Sequence, residues 1–400
     1  MGSSILTLNG GSSSIKFALF APGDPPTRCT SGKIERIGQS GTTLTTKTAG
    51  SAAEAPRPIE AADPDSAARQ LLEWLDRRVG LTSITGIGHR IVHGGARYTA
   101  TQLVTPAVVD ELRRLCPLDP EHLPGEIALI EGCGRRLPTV AQVACFDTAF
   151  HRDLPRVAAL LPLPLHYFEA GIRRYGFHGI SYAYLMEELA RVTSPQEAAG
   201  RVILAHLGNG ASMAAVHERK CVDTTMAFTP TAGLVMGTRS GDLDPGVLVH
   251  LVRSEQLSAD ALDELVNRRS GLLGLSETSA DVRDLLDRRA TDSRARDAIA
   301  VFCYQARKWI GAMAAALGGV DSLVFAGGIG ENSVEVRAEI CQALDFLGIR
   351  LDEQRNARGA GLISADNACC AVRVIHTDEE SMIARDVKRI LAELPRPPST

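Results

Sequence analysis

No part of this 400-residue sequence is apolar for long enough to cross a membrane. Its longest strongly apolar, charge-free windows, such as Trp309–Val320, stop well short of the ~20 residues a spanning helix needs. The opening MGSSILTLNGG lacks a basic region ahead of an apolar run, so no secretory signal is expected. The nine cysteines are odd in number, form no C-x-x-C pair and include the adjacent Cys369-Cys370. That pattern fits neither a disulfide framework nor a zinc site, and points to a reducing, cytoplasmic setting. Basic excess is also missing: the net charge of -4 and a pI near 6.2 argue against a nucleic-acid partner. Aromatics are scarce at 4%, but 44% hydrophobic and 22% charged residues are the composition of an ordinary globular protein. A chain of this length exceeds what one core usually carries, so two domains are expected.

What is present is organised around Val202–Asp242. The segment VILAHLGNGASMAAV reads as strand, glycine-rich turn, strand, because Asn-Gly supplies the positive φ of a tight hairpin. Glycine also lets a backbone come close to a ligand and cradle phosphate oxygens with its N–H groups, although a plain hairpin explains the same residues. Further on, FTPTAGLVMGTRSGDLDPG has neither helical nor strand periodicity and carries Arg239, Asp242 and Asp244. An arginine on such a loop is placed to fork around a carboxylate or phosphate, or else is simply solvated. Near the N-terminus, Ile5–Leu8 and Ile15–Phe20 bracket Asn9-Gly10-Gly11-Ser12-Ser13-Ser14, with Lys16 just inside the return strand. The same device therefore occurs once in each half, which suggests two related domains facing a shared cleft.

Other elements follow from periodicity and punctuation. Helices are expected over Asp65–Val79, from Thr105-Pro106 to Cys116-Pro117, and over Glu126–Arg135, Ser181–Arg191, Ala261–Asn267, Ala280–Arg289 and Ile299–Leu317. Strands are expected over Ile84–Val92, Val140–Phe146 and Val372–His376, with an edge strand at Thr42–Thr48. The segment GHRIVHGG sets His89, Arg90 and His93 at a strand end, where α/β sheets hold ligands, although packing explains each histidine as well. Asp147 directly follows a strand, where it could serve as a site acid or only cap a helix. Gly327-Gly328-Ile329-Gly330 reads as a turn before a helix starting near Ser333, an arrangement that suits nucleotide phosphates. The closing LPRPPST reads as a frayed tail.

Taken in order, NGGSSSIKF, GHRIVHGG, FDTAFH, YGFHGIS, HLGNGAS, FTPTAGLVMGTRSGDLDPG, FAGGIGENS and TDEE resemble the acetate kinase family. That family lies in the superfamily of acetate and sugar kinases, heat-shock ATPases and actin, and the resemblance spans essentially the whole chain. It implies an α/β fold of two ribonuclease-H-like (actin-like ATPase) domains facing a central nucleotide cleft. The domains would be 1–150, rejoined by a C-terminal helix at about 381–395, and 151–380. It further implies reversible phosphoryl transfer between ATP and acetate, giving acetyl phosphate and ADP, with Mg²⁺ or Mn²⁺, in a homodimer. Matched residue by residue, Asn9 and Glu379 would hold the metal, and Ser12, Ser14 and Lys16 would line the phosphate end. Arg90 would bind the carboxylate, with Val92, Leu118, Phe177 and Pro230 around its methyl group. Asp147 would be the active-site acid, and His178 and Arg239 would stabilise the phosphoryl group in flight. His206, Leu207, Gly208, Asn209 and Gly210, then Asp281, Val282 and Arg283, then Gly327, Gly328, Ile329, Gly330 and Glu331, would hold the nucleotide. A propionate or butyrate kinase, or a non-catalytic nucleotide sensor, is the alternative.

The chemistry suits these residues without the family name. An acetate nucleophile is already ionised, so catalysis reduces to positioning and to neutralising charge on a loose, metaphosphate-like transition state. Asp147 is then better read as positioning metal, water or a neighbouring arginine than as a proton acceptor. One departure stands out. Most members carry a PLHNP-like loop whose histidine touches the phosphoryl group, whereas here the loop reads Pro117-Leu118-Asp119-Pro120-Glu121-His122. An ionised Asp119 would repel a phosphoryl group, so Asp119 is expected to turn away, toward an arginine or the next helix's N-terminus, with His122 supplying the donor; the alternative is that His122 is surface-exposed and His178 and Arg239 work alone.

Overall fold

The computed structural model describes residues 3–11 and 13–394. Ser12 and residues 395–400 of the expected tail lie outside the described residues. The chain forms two compact units, Met1–Ala149 with Asp378–Thr400, and Phe150–Thr377.

The first unit is built on a sheet of order β5-β4-β3-β2-β1-β6-β8-β7. Its strands are β1 (Ser4–Gly10), β2 (Ser14–Ala21), β3 (Thr27–Glu35), β4 (Thr43–Thr48), β5 (Arg57–Pro58), β6 (Ile84–Ile91), β7 (Gln102–Leu103) and β8 (Ala141–Phe146). β1 to β5 form an antiparallel meander, while β1, β6 and β8 run parallel. One face is covered by the helices Pro64–Val79 and Leu123–Arg136, where Leu71, Leu72, Leu75 and Leu129 pack on Leu6, Leu8, Phe17 and Ile87. The first of these helices starts at a capping box: Asp63 accepts from Ser66 N (2.7 Å) and the Ser66 hydroxyl accepts from Asp63 N (3.0 Å).

The second unit carries β9 (Val202–Leu207), β10 (Ala211–His217), β11 (Lys220–Thr224), β12 (Ser322–Ala326) and β13 (Ala371–Val374), in the order β11-β10-β9-β12-β13. Again an antiparallel meander, β9 to β11, adjoins parallel strands, β9, β12 and β13. The two sheets therefore share one plan, since β3-β2-β1-β6-β8 repeats as β11-β10-β9-β12-β13. Leu185, Leu189, Val202, Leu204, Val216 and Val324 form the core beneath the helix Gly179–Val192.

Several expectations need correction. β3 was not anticipated, because TRCTSGKIE has little apolar alternation and only Thr30 and Ile34 are buried. Thr43–Thr48 is not the sheet edge, since the two-residue β5 pairs beyond it. The helix Pro245–Ser254 was also missed. Gly327–Asn332 is itself a short helix rather than a turn. Glycines alone would not hold it, but Glu331 accepts from Gly327 N (2.9 Å) and buried Arg337 donates to the carbonyls of Gly330 and Glu331 (both 2.9 Å).

The last helix, Glu379–Glu393, packs on the other face of the first sheet, burying Ile383, Ala384 and Val387. Its approach depends on glycine. A Cβ at Gly88 would lie 2.3 Å from Ile383 Cγ2 and 2.6 Å from Val387 Cγ2, and one at Gly86 would lie 2.6 Å from Leu391 Cδ1. Gly88→Val should therefore lift this helix at a cost of ~1–3 kcal/mol. A lower urea midpoint and faster proteolysis within 379–393 are expected; wild-type values for both would mean that the gap is not needed.

Candidate active site

In the first unit the parallel strands β1, β6 and β8 end side by side and present Asn9, Arg90 and Asp147 from their carboxyl ends. Asp147 is fully buried, and Arg90 donates to its Oδ2 from Nε (3.0 Å) and Nη2 (2.6 Å). A third guanidinium nitrogen, Nη1, donates to Asn9 Oδ1 at 3.2 Å. Asn9 in turn donates from Nδ2 to Glu379 Oε2 (3.1 Å), and Glu379 opens the last helix behind its N-cap Asp378. Burial opposes the charge on Arg90, but Asp147 and then Glu379 outweigh it, so the guanidinium stays firmly protonated above its ordinary range. Asp147 is thus engaged as the orienting partner of an arginine.

The metal assignment can be tested on the donors present. Asn9 Oδ1 and the Glu379 carboxylate are hard oxygen donors on neighbouring side chains, with Asn9 Nδ2 donating to Glu379 while its Oδ1 accepts from Arg90. Mg²⁺ takes one or two protein oxygens and completes its shell with water and phosphate, so the pair fits it in donor type, with the Glu379 carboxylate the oxygen not held by Arg90. Among the described residues no group of three or more His, Cys, Asp or Glu side chains forms a metal cluster.

Around this row the strand end is braced from behind. Glu126, 2% exposed, accepts the Val92 N–H on both oxygens (3.2 and 3.1 Å). Burial pushes its carboxyl up to about 8, with Arg90 the chief opposing influence. Sequence reasoning treated Glu126 only as a helix start, although a glutamate within the otherwise apolar LPGEIALI is an unusual occupant of a packed face. Asp119 does turn to the N-terminus of the following helix: its Oδ1 lies 2.9 Å from His122 N and 2.8 Å from His122 Nδ1. His89 and His93 follow the packing reading. Burial holds both down to about 4, with His89 donating to Gln142 (2.7 Å) and His93 Nδ1 accepting from Gly95 N (2.8 Å). Val92 is buried and Leu118 half-buried, while Ser14 is half-buried at the start of β2. Lys16 is exposed on the sheet, in register with Lys33.

In the second unit the hairpin between β9 and β10 is present, but none of Gly208, Asn209 and Gly210 takes a left-handed backbone. Gly210 marks a point on which two side chains converge. A Cβ there would lie 3.4 Å from His178 Nε2 and 3.6 Å from Arg239 Nη1, so two of the expected residues meet at this glycine. Arg239 sits on the irregular loop, whose carboxylates are structural: Asp242 accepts from Gly233 N (2.8 Å) and Asp244 from Gly246 N (2.8 Å), capping the helix Pro245–Ser254. Phe177 is buried, its carbonyl accepting from His151 Nε2 (2.9 Å), and Pro230 is half-buried.

Next to this glycine turn lies a cavity of about 690 Å³, a size that suits a nucleotide. Gly208, Asn209, Asp281, Val282, Arg283, Gly328 and Ile329 line it as expected. His206, Leu207, Gly210, Gly327, Gly330 and Glu331 are not on its wall. Glu331 accepts from Gly327 N and Thr377 N (3.0 Å) on one oxygen and pairs with the His376 ring on the other. Leu286, Asp287, Asn332 and Glu335 were missed as wall residues. Helical spacing could have found them, since 282–283 and 286–287 lie one turn apart. Asp281 caps its helix by accepting from Arg283 N (2.9 Å) and pairs with the Arg283 side chain, which holds its carboxyl below the ordinary range.

Two units of one sheet plan, one holding an arginine–carboxylate row and the other a glycine-lined cavity, define a phosphotransferase with the two-domain actin-like ATPase fold. The chain belongs to the acetokinase family, whose sequence model matches residues 4–385. It is 42% identical over 395 residues to an acetate kinase of Rhodopseudomonas palustris, covering 98% of this chain and 99% of that protein. It is 44% identical over 403 residues to a propionate kinase of Citrobacter rodentium, covering 99% of each. The crystal structure of Porphyromonas gingivalis acetate kinase matches with a TM-score of 0.88 at 36% identity, over 98% of this chain and all of that one.

Glu126 generates a pH prediction. Its folded pKa of about 8 exceeds that of an unfolded glutamate, so the stability tied to its proton is complete below ~4.3 and is lost as pH rises through 8. Glu126→Gln should therefore gain on the wild type between pH 5 and pH 9 by more than ~1 kcal/mol. Urea unfolding at both pH values measures the gap, and a pH-independent gap would contradict the assignment.

Proposed function

We propose that the chain is an acetate kinase, interconverting ATP and acetate with ADP and acetyl phosphate. The observation that carries this reading is the meeting of His178 Nε2 and Arg239 beside Gly210, next to the glycine-lined cavity. An imidazole and a guanidinium at that point are the donors a migrating phosphoryl group needs. Arg90 would receive the acyl carboxylate, and Asp147 would hold its guanidinium in the required plane rather than move a proton. Asn9 and Glu379 would hold Mg²⁺, which would offset charge on the phosphates. The carboxylate substrate is ionised at neutral pH, so no general base is required.

The chain would act in the cytoplasm as a homodimer. All nine cysteines are free, and among the described residues no helix is long and apolar enough to cross a membrane. The helix Pro245–Ser254 supports a dimer: it buries no residue of its own, yet exposes Val247, Val249 and Val252.

Propionate is the second reading, favoured by the 44% identity to a propionate kinase. One methylene changes discrimination by only ~1–3 kcal/mol, so few side chains would decide it. A coupled assay of ADP formation with acetate, propionate and butyrate, with and without Mg²⁺, tests both readings, and no turnover of any carboxylate would reject them together. Arg239→Leu and Arg90→Leu should each lower kcat/KM by ~10²–10³, and Arg90→Leu should also lose ~3–5 kcal/mol of stability because it strands the buried Asp147. Glu379→Ala should raise the Mg²⁺ concentration needed for half-maximal rate, and an unchanged Mg²⁺ titration would move the metal elsewhere.

A further inference from the structure

His178 is held from more sides than a surface histidine would be. It caps the helix Gly179–Val192 with φ 58° and ψ 21°, a left-handed conformation that a non-glycine residue keeps only when its surroundings impose it. Its ring stacks on that of His206, with centroids 4.3 Å apart and planes 21° from parallel. Its Nδ1 lies 2.9 Å from the hydroxyl of Ser212, which is fully buried on β10. Ser212 also shares a hydrogen bond with the hydroxyl of Tyr182, again fully buried.

This convergence follows from two spacings. Tyr182 is four residues beyond His178, so the two rise from the same face of the helix start. Ser212 is the direct cross-strand partner of His206 in the β9–β10 register, so both point to the side on which the His178 ring lies. The result is a buried file, Tyr182 to Ser212 to His178, with Nε2 at its far end beside Gly210 and Arg239.

We propose that Ser212 and Tyr182 are positioning residues that fix the orientation and tautomer of His178, so that Nε2 offers an N–H beside the Arg239 guanidinium. When the imidazole is neutral, Tyr182 donates to Ser212 and Ser212 donates to Nδ1, which leaves the ring proton on Nε2. When it is protonated, Nδ1 donates to Ser212 and Ser212 donates to the Tyr182 oxygen. A serine hydroxyl accommodates either polarity, so Nε2 is a donor in both states. Neither serine nor tyrosine touches the reacting group, and both act through the imidazole. The inference rests on the phosphotransferase reading above and extends it.

The test uses the full-length enzyme in the assay that reads turnover of acetate or propionate. Ser212→Ala should lower kcat by ~10–100-fold, less than losing the donor itself, with both KM values within about twofold. Ser212→Thr keeps the hydroxyl and should recover most of that loss. Tyr182→Phe should cost ~3–10-fold, because Ser212 can still donate to Nδ1. On a His178→Ala background, Ser212→Ala should cost less than about twofold, since there is no ring left to orient. The ¹⁵N imidazole signals of the free enzyme should report Nε2–H at His178 in the wild type and a mixture of tautomers in Ser212→Ala. An inactive wild type would defeat the functional reading, while the ¹⁵N signals would still decide the inference. An active wild type with Ser212→Ala unimpaired, with full additivity on His178→Ala, or with an unchanged tautomer would overturn the inference alone. If Ser212→Ala proves unfolded, Tyr182→Phe carries the same cycle, and additivity there overturns it.

Discussion

A carboxylate taken out of water must be matched by a cation, and in the first unit that requirement organises the ends of three strands. Asp147 is buried to 1% of its side-chain surface, and Arg90, itself mostly covered, meets it with two nitrogens. Once the guanidinium plane is set by Asp147, its remaining nitrogen falls on Asn9, and Asn9 can then donate to Glu379. Residues from β1, β6, β8 and the last helix thus occupy one chain of contacts whose geometry follows from a single pairing. Removing one member would leave an uncompensated charge, a far larger penalty than the pair's own net worth.

Charge is distributed differently in the second unit. There His178 is oriented by neutral groups, the Ser212 hydroxyl and the His206 ring. Arg90, by contrast, is already partly neutralised by Asp147. Anion affinity at Arg90 is therefore bounded by its carboxylate neighbours, and Glu126, with a carboxyl near 8, is the neighbour whose charge is most easily withdrawn.

Much of this was readable in the chain itself. Alternating apolar runs around Asn9–Ser14 and Gly208–Gly210 gave both hairpins, and GHRIVHGG and FDTAFH placed Arg90 and Asp147 at strand ends. The failures have physical causes. β3 is polar on both faces and so carries no period-two signal. Pro245–Ser254 is short, and its Val-rich VLV opening reads as readily as a strand as a helix, although His250, Arg253 and Ser254 share one helical face. Asn-Gly usually needs a positive φ, but the Gly208–Gly210 turn closes without one. Glu331 reads as part of a nucleotide loop, and only the fold reveals that its carboxylate is taken up by Gly327 N, Thr377 N and the His376 ring. Side-chain direction is decided by tertiary context, which local spacing does not encode.

The seat that Gly86 and Gly88 make for the helix Glu379–Glu393 has a bearing on how the chain is built. The first unit begins at the N-terminus, yet one face of its β6 is covered by residues translated only after the whole of Phe150–Thr377. On a ribosome, the second unit's sheet has all its strands while the first still shows an apolar flank. The part of the protein made first is the part finished last, so a nascent chain carries an uncovered surface through most of its synthesis. Chaperone holdases would find their binding site there, and a chain truncated before Asp378 would keep it.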